Sequence, residues 1–425
     1  GAVHIGKGVI DFPGITILHY AGSFWVWEAN RYREVEDERL KQVVQPWLHD
    51  ALRYVINRKT GLPELVAFES NPHATKQVIE TLRADIHIPI TTPLPSWLDA
   101  RRPSPNQNLN PAEILAGPSR SIHIPTGRVI PATPTFFTTT ALEFDYDPSP
   151  NPPERWFKFL EEVFGDDIEA IQALQDFMGY CLTPDTRQQK ILLMLGEKRS
   201  GKGTIARVLG RLVGLGNVAN PTVSSLAGPF GLQPLLGKSV AIISDARFAG
   251  DGVATIAERL LSISGEDGIT VDIKHKPSVT TKLPTRFVIL SNELPKLPDA
   301  AGALANRYIV VRTTRSFFGR EDPGLTEALC AELPGILLWA IEGWKRLQAR
   351  GRFVQPASAM NDPGTRTAEV FQRVRHRFEK VGAEYAHQLA RHAGGIGERA
   401  QQVENRALAE FAPRQRNVAH GRVMV

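Results

Sequence analysis

The stretch Lys190-Ile191-Leu192-Leu193-Met194-Leu195-Gly196-Glu197-Lys198-Arg199-Ser200-Gly201-Lys202-Gly203-Thr204-Ile205-Ala206-Arg207-Val208-Leu209 decides how this chain reads. An apolar run of strand character enters a short glycine-bearing turn, and the turn opens into a helix-like run. A phosphate-binding loop requires that order. Glycines let backbone N–H groups close around a polyphosphate, and the helix start adds its dipole. The loop residues are Gly196, Glu197, Lys198, Arg199, Ser200, Gly201, Lys202, Gly203 and Thr204. Lys202 is expected to stand exposed and to neutralise the outer phosphates. The hydroxyl that usually follows this lysine comes one place late. Gly203 stands in its position, and Thr204 supplies the oxygen expected to reach a metal ion.

A phosphate loop alone does not hydrolyse a nucleotide; an acid at the end of a neighbouring strand must hold the metal or orient water. Ser239-Val240-Ala241-Ile242-Ile243-Ser244-Asp245 reads as a buried parallel strand with Asp245 at its exit. Alone, Asp245 would be a helix cap or turn residue. With the loop upstream, it reads as the strand-end acid. A third apolar run, Arg286-Phe287-Val288-Ile289-Leu290, ends at Ser291-Asn292-Glu293. The Asn292 amide suits a hydrogen bond to a terminal phosphate or an attacking water, or else caps a turn before Pro295.

Between these runs, β-branched residues alternate on both sides of Lys274-His275-Lys276, over residues 268–282. This reads as a β-hairpin whose basic tip is suited to phosphate contacts, or as a solvated charged turn. Arg307 enters a fourth apolar run, Tyr308-Ile309-Val310-Val311. An arginine there either reaches a neighbouring subunit's terminal phosphate or forms a structural salt bridge.

The rest of the chain frames this core. Of 425 residues, 42% are hydrophobic and 22% charged, the balance of a globular protein large enough for two or three domains. No apolar run approaches the ~18 residues of a membrane span, and no secretory signal opens the chain. Cys181 and Cys330 lack metal-ligand spacing and read as thiols of a reducing compartment, so a cytoplasmic location is expected. The missing initiator methionine at Gly1 reads as a piece of something longer. Net charge is +5, and residues 357–425 hold eleven basic against seven acidic residues. That balance permits a nucleic-acid partner without requiring one.

Residues 1–120 read as mixed strands and helices, with Phe24–Trp27 as strand, Glu34–Ile56 as a helix interrupted at Pro46, and 100–120 as a linker. Thr126–Ile130 reads as a turn and short strand. Proline-rich Asp145–Pro153 leads into two helices, Trp156–Phe164 and Ile168–Cys181. Residues 325–349 read as a long helix that Pro334 interrupts or restarts. The tail past Gly351 reads as helical pieces broken at Gly394–Gly397. Asp145-Tyr146-Asp147 has the form of a two-metal polymerase motif. Without a partner acid or histidine motif, and with Pro148 following, it reads as a linker turn.

The order of loop, acid-ended strand, basic hairpin, asparagine-ended strand and arginine resembles the superfamily 3 helicases, a branch of the AAA+ ATPases. The likeness is to the C-terminal helicase region of phage, satellite-phage and plasmid primase-helicases, related to the poxvirus primase-helicase. Val271–Lys276 and Leu290–Asn292 also resemble the hairpin and sensor of papillomavirus replicative helicases. The resemblance covers about residues 120–355 and includes Phe144-Asp145-Tyr146-Asp147-Pro148, Trp156, Gln175 and Gly179-Tyr180 of a collar-like segment. Residues 1–120 fit loosely and 357–425 do not.

The resemblance implies an α/β AAA+ P-loop core with a parallel sheet (189–350), an α+β N-terminal domain (1–120), a linker and helical collar (121–188) and a basic helical C-terminal tail (351–425). It implies ATP and Mg²⁺ held through Lys202, Thr204 and Asp245. Asn292 would be sensor 1 and Arg307 a finger acting in trans. Lys274, His275 and Lys276 would track DNA inside a hexamer-like ring moving 3′-to-5′ in mobile-element replication. A primase or initiation partner, or a primase module upstream, belongs to the same picture. Many relatives carry two adjacent acids at the Walker B position. Here the first is Ser244, leaving Glu258 or Glu266 as possible helpers. Two other readings remain. Nucleotide monophosphate kinases also carry Gly-Lys-Gly-Thr, which suggests a small-molecule kinase. A nucleotide-gated DNA-binding or assembly module would use the site without efficient turnover.

Overall fold

The computed structural model describes residues 16–359, apart from Glu69, 99–105, Asp245, 247–251, 293–303 and Ala305, together with the short pair His4–Ile5 (β1) and Gly8–Val9 (β2). The tail read as helical from the sequence lies almost wholly outside these residues.

The N-terminal part is mixed. Strands Ile17–Tyr20 (β3), Ser23–Glu28 (β4) and Arg31–Val35 (β5) form an antiparallel meander. Phe24 from its centre packs with Leu40 of Asp37–His49 (α1) and Ile79 of Pro72–Asp85 (α2). The single helix expected over Glu34–Ile56 is not formed. Glu34 and Val35 complete β5, α1 continues through Pro46 to His49, and Leu52–Ile56 (β6) pairs as a hairpin with Pro63–Ala67 (β7). Tyr54, Val55 and Ile56 favour a pleated surface over a helix, and that preference prevails once a partner strand is at hand. The expected linker at 100–120 also contains structure. Ser96–Trp97 (β8) pairs with Phe136–Phe137 (β12), and Ile114–Ala116 (β9), buried throughout, pairs with Arg120–His123 (β10), which pairs with Arg128–Pro131 (β11).

The core sheet is wholly parallel. Its strands are Ile191–Leu195 (β13), Val218–Ala219 (β14), Val240–Ile243 (β15), Arg286–Ser291 (β18) and Tyr308–Arg312 (β19), in spatial order β14-β15-β18-β13-β19. Between them lies the antiparallel hairpin Ile269–Ile273 (β16) and Lys276–Thr281 (β17). Both faces of the sheet are covered, so its strands are apolar without alternation. Leu192, Met194, Val288 and Leu290 face one layer. There they meet Lys202–Val213 (α5), Glu154–Phe164 (α3), Ile168–Tyr180 (α4) and, after Leu325–Cys330 (α8), the long Leu333–Arg350 (α9). Ile191, Leu193, Leu195 and Ile289 face the other layer. They pack on Val253–Ser264 (α7) and Leu226 of Val223–Ala227 (α6).

The collar is tied to the C-terminal helices by polar contacts as well as by packing. The Glu332 carboxylate accepts from Arg155 N at 3.2 Å and Trp156 N at 3.0 Å, supplying the cap that α3 lacks locally. Buried Gln175 donates to Trp339 O at 2.7 Å, and buried Asp176 pairs with Arg346 and Arg350. Pro334 sits in the first turn of α9, where a missing N–H costs nothing, so it starts that helix. Asp145 accepts from Ser119 N and Oγ, 26 residues earlier, and Asp147 accepts from Ser149 N in a local turn, so both carboxylates of the Asp-x-Asp run are engaged.

Candidate functional site

Leu195 and Ser291 lie opposite each other where the adjacent strands β13 and β18 end. The connection after β13 leads toward β14 at one edge of the sheet, and the connection after β18 leads toward β19 at the other. Adjacent strand ends whose connections run to opposite edges of the sheet mark the usual ligand position in open parallel sheets. The loop 196–201 lines it, and Asn292 stands beside it.

Lys202 opens α5, yet it is only 8% exposed, which corrects the expectation of an exposed lysine. Its ammonium donates to Gly196 O and Glu197 O, both at 2.7 Å, and to Ser200 Oγ at 3.2 Å. It also donates to Asn292 Oδ1 at 3.4 Å, so two site residues 90 positions apart meet in space. The loop carbonyls hold the cation where a phosphate would compete for it with more charge.

Two glycines set the loop's course. Gly196 has φ +155°, and a Cβ there would lie 1.8 Å from Thr313 Oγ1. Gly201 has φ +87°, and a Cβ there would lie 2.7 Å from Val163 Cγ2 of the collar helix α3. Arg199 is left-handed at φ +58° and is held from outside, its carbonyl accepting from Phe317 N at 2.8 Å and its guanidinium lying 3.5 Å from Glu321. Thr313 N donates to Leu195 O at 2.8 Å, Thr313 Oγ1 donates to Ser200 Oγ at 2.7 Å, and Ser316 Oγ donates to Lys198 O at 2.9 Å. The segment after β19 is therefore a buttress for the 196–201 loop, and sequence reading missed it. The one signal available was the hydroxyl run Thr313-Thr314 directly after an apolar strand. Gly196→Ala is expected to destabilise the fold by about 1–3 kcal/mol, because Thr313 cannot move without losing Ser200. Thermal melting checks this, and an unchanged melting temperature would contradict the packing described.

Thr204 lies on another face of α5 from Lys202, and its Oγ1 accepts from Arg207 at 3.2 Å. The expected acid, Asp245, lies outside the described residues. Its strand β15 ends beside β18, with Ile243 opposite Ile289, one strand removed from β13. Of the two possible helpers, Glu258 is exposed on α7, and Glu266 accepts from Thr186 Oγ1 at 2.5 Å beside Gly265 and Gln189, away from the loop. No group of three or more His, Cys, Asp or Glu side chains able to hold a metal occurs among the described residues. Mg²⁺ needs no such cage, since it is commonly held by one or two protein oxygens plus substrate phosphates. The oxygen-bearing Thr204 fits that requirement.

The basic hairpin forms. Val271 anchors it in the core beneath the sheet. Lys274 and His275 form its exposed two-residue tip, with His275 left-handed at φ +62°. Lys274 N donates to Gln233 Oε1 at 3.2 Å, and Lys276 begins the return strand.

Arg307 lies at the opposite end of the sheet from the 196–201 loop. Its carbonyl accepts from Ile191 N at 2.8 Å, at the start of β13, whereas Gly196 follows that strand's end. Five residues of strand separate them, about 16 Å. The guanidinium donates to Gln189 Oε1 at 3.1 Å. Neighbouring Lys190 has its pKa lowered, first by burial and second by the Arg307 charge.

Comparison with known proteins adds the following. Residues 194–307 match the model of a family described as of unknown function, DUF5906. Among solved structures, the chain is similar to the apo NrS-1 C-terminal region. One form has 13% identity and a TM-score of 0.47, covering 76% of this chain and 65% of that one. Another has 12% identity and a TM-score of 0.48, covering 79% and 71%. The chain thus spans just under two thirds of the first of these. No helix among the described residues is long and apolar enough to cross a membrane.

Proposed function

We propose that this chain is an ATP hydrolase of the AAA+ superfamily 3 type that couples turnover to movement on DNA. The observation that carries the reading is the meeting of Lys202 with Asn292, 3.4 Å apart, in the crevice between β13 and β18. A P-loop lysine beside a polar amide at the next strand end is an arrangement for a terminal phosphate and its attacking water. In this reading ATP lies along residues 196–204, with Lys202 on the outer phosphates. Thr204 and Asp245 would hold Mg²⁺, which would supply charge neutralisation on the phosphate oxygens. Asn292 orients the attacking water.

Lys274, His275 and Lys276 are proposed to contact the DNA backbone. The hairpin springs from the segment between the acid-ended and asparagine-ended strands, so nucleotide state and tip position share one support. Arg307, about 16 Å from its own loop, is too far to serve its own nucleotide and is proposed to reach a neighbour's. This favours a homo-oligomeric ring, with a primase or initiation protein as a further partner.

Replacing Lys274 and His275 together by alanine is expected to leave basal ATP hydrolysis near wild type, while DNA stimulation and fork unwinding fall. Phosphate contacts carry no sequence information, so binding should be weakly sequence-dependent and should weaken as salt rises. ATPase and fork-unwinding assays at fixed salt check this. Normal unwinding by the double variant would remove the hairpin from the DNA path, and absence of ATP hydrolysis by the wild-type chain would overturn the whole reading.

A further inference from the structure

Gly203 stands where a hydroxyl residue usually follows the lysine, and its backbone does not require glycine, since its φ is not positive. A Cβ there would meet a single group within 4 Å, the Arg207 Nη1 at 3.4 Å. The guanidinium of Arg207 therefore lies back over the first turn of α5, across the space that Gly203 leaves open. Its Nη2 donates to Thr204 Oγ1 and its Nε to Thr326 Oγ1 of α8, both at 3.2 Å. Both acceptors are neutral hydroxyls. No carboxylate pairs with Arg207 among the described residues, although Arg199 and Arg211 close by are each paired with a glutamate. Arg207 is exposed.

An α-helix turns about 100° per residue, so Gly203 and Thr204 lead away from the face where Lys202 meets Asn292. A nucleotide whose terminal phosphate lies at Lys202 and Asn292 must carry its nucleoside end away from that pair. The path over the first turn of α5 leads to Gly203, Thr204 and Arg207. We propose that Arg207 is a nucleotide-binding residue that takes the phosphate nearest the nucleoside. This inference rests on the ATP-binding reading above and adds a residue to it. A phosphate oxygen is a stronger acceptor for guanidinium than a threonine hydroxyl. On binding, Arg207 exchanges Thr204 Oγ1 for phosphate and stays tethered through Thr326. Thr204 Oγ1 would thereby be freed of its Arg207 contact.

The test is isothermal titration of the full chain, wild type and Arg207→Gln, with ADP and with the two diastereomers of ATP carrying sulfur on the α-phosphate. Glutamine keeps a donor for Thr326 and loses the charge, and Arg207→Ala is measured beside it with melting temperatures. Arg207→Gln is expected to weaken ADP about tenfold or more, the scale of a charge-assisted hydrogen bond. Wild type is expected to prefer one sulfur diastereomer, and that preference should vanish in the variant, a change that a merely structural clamp between α5 and α8 would not produce. Unchanged ADP affinity, or lost affinity with the diastereomer preference intact, overturns the assignment while leaving the ATPase reading standing. Failure of the wild-type chain to bind any nucleotide overturns both.

Discussion

Lys202→Ala is expected to reduce ATP hydrolysis by about 10²–10³-fold or more, the scale for removing a preorganised charge-stabilising group. Gly196 O, Glu197 O and Ser200 Oγ hold the ammonium at the crevice, where a phosphate would take over part of their hydrogen bonding. Its burial also predicts a structural cost. Alanine leaves two carbonyls and a hydroxyl without this donor, at about 1–3 kcal/mol for a group left dry and less where water enters. Circular dichroism and melting should therefore accompany the turnover measurement. Lys202→Met, which fills the space without a donor, separates lost charge from lost packing. Wild-type turnover in either folded variant would end the phosphate-loop assignment.

The strand, loop and helix around Lys202 were legible because they are written locally. Five apolar residues of β13, a glycine at each bend and the apolar face of α5 stand within one short window. The hairpin was legible for the same reason, since β-branched residues alternate across a two-residue tip. What was not legible depends on distant partners. Nothing near Lys202 shows that it will be buried, because its burial needs the loop's own carbonyls and Asn292, 90 residues on. Thr313 as a support for Ser200 is invisible for the same reason, as is Glu332 capping α3. The boundary of α1 was misread because proline was taken as a break. The chain instead tolerates Pro46 in the last turns of the helix, and the β-branched residues after it find a partner strand. Thr204 was read for its hydroxyl alone. Arg207, which engages that hydroxyl, carries no local signal of that contact.

Arg307→Ala is expected to leave nucleotide binding largely intact and to suppress turnover, and to do so across a subunit boundary. Within one chain, Arg307 and the phosphate loop lie at opposite ends of β13, so the side chain cannot serve its own site. A head-to-tail arrangement brings one end of each core to the other end of its neighbour, as a ring requires. Gln189 holds the guanidinium at that end of the sheet through its 3.1 Å bond. Arginine fingers supplied in this way are worth about 10³–10⁵ in rate in GTPases. The distinguishing experiment mixes Arg307→Ala subunits with Lys202→Ala subunits. Each variant alone should be inactive. In mixed rings, about one interface in four under random assembly pairs an intact Lys202 with an intact Arg307. Turnover should therefore return in part, scaling with the product of the two fractions. Absence of recovery, where size measurements show that mixed rings form, would make Arg307 a structural residue bound to Gln189 and would remove the main geometric argument for a shared site.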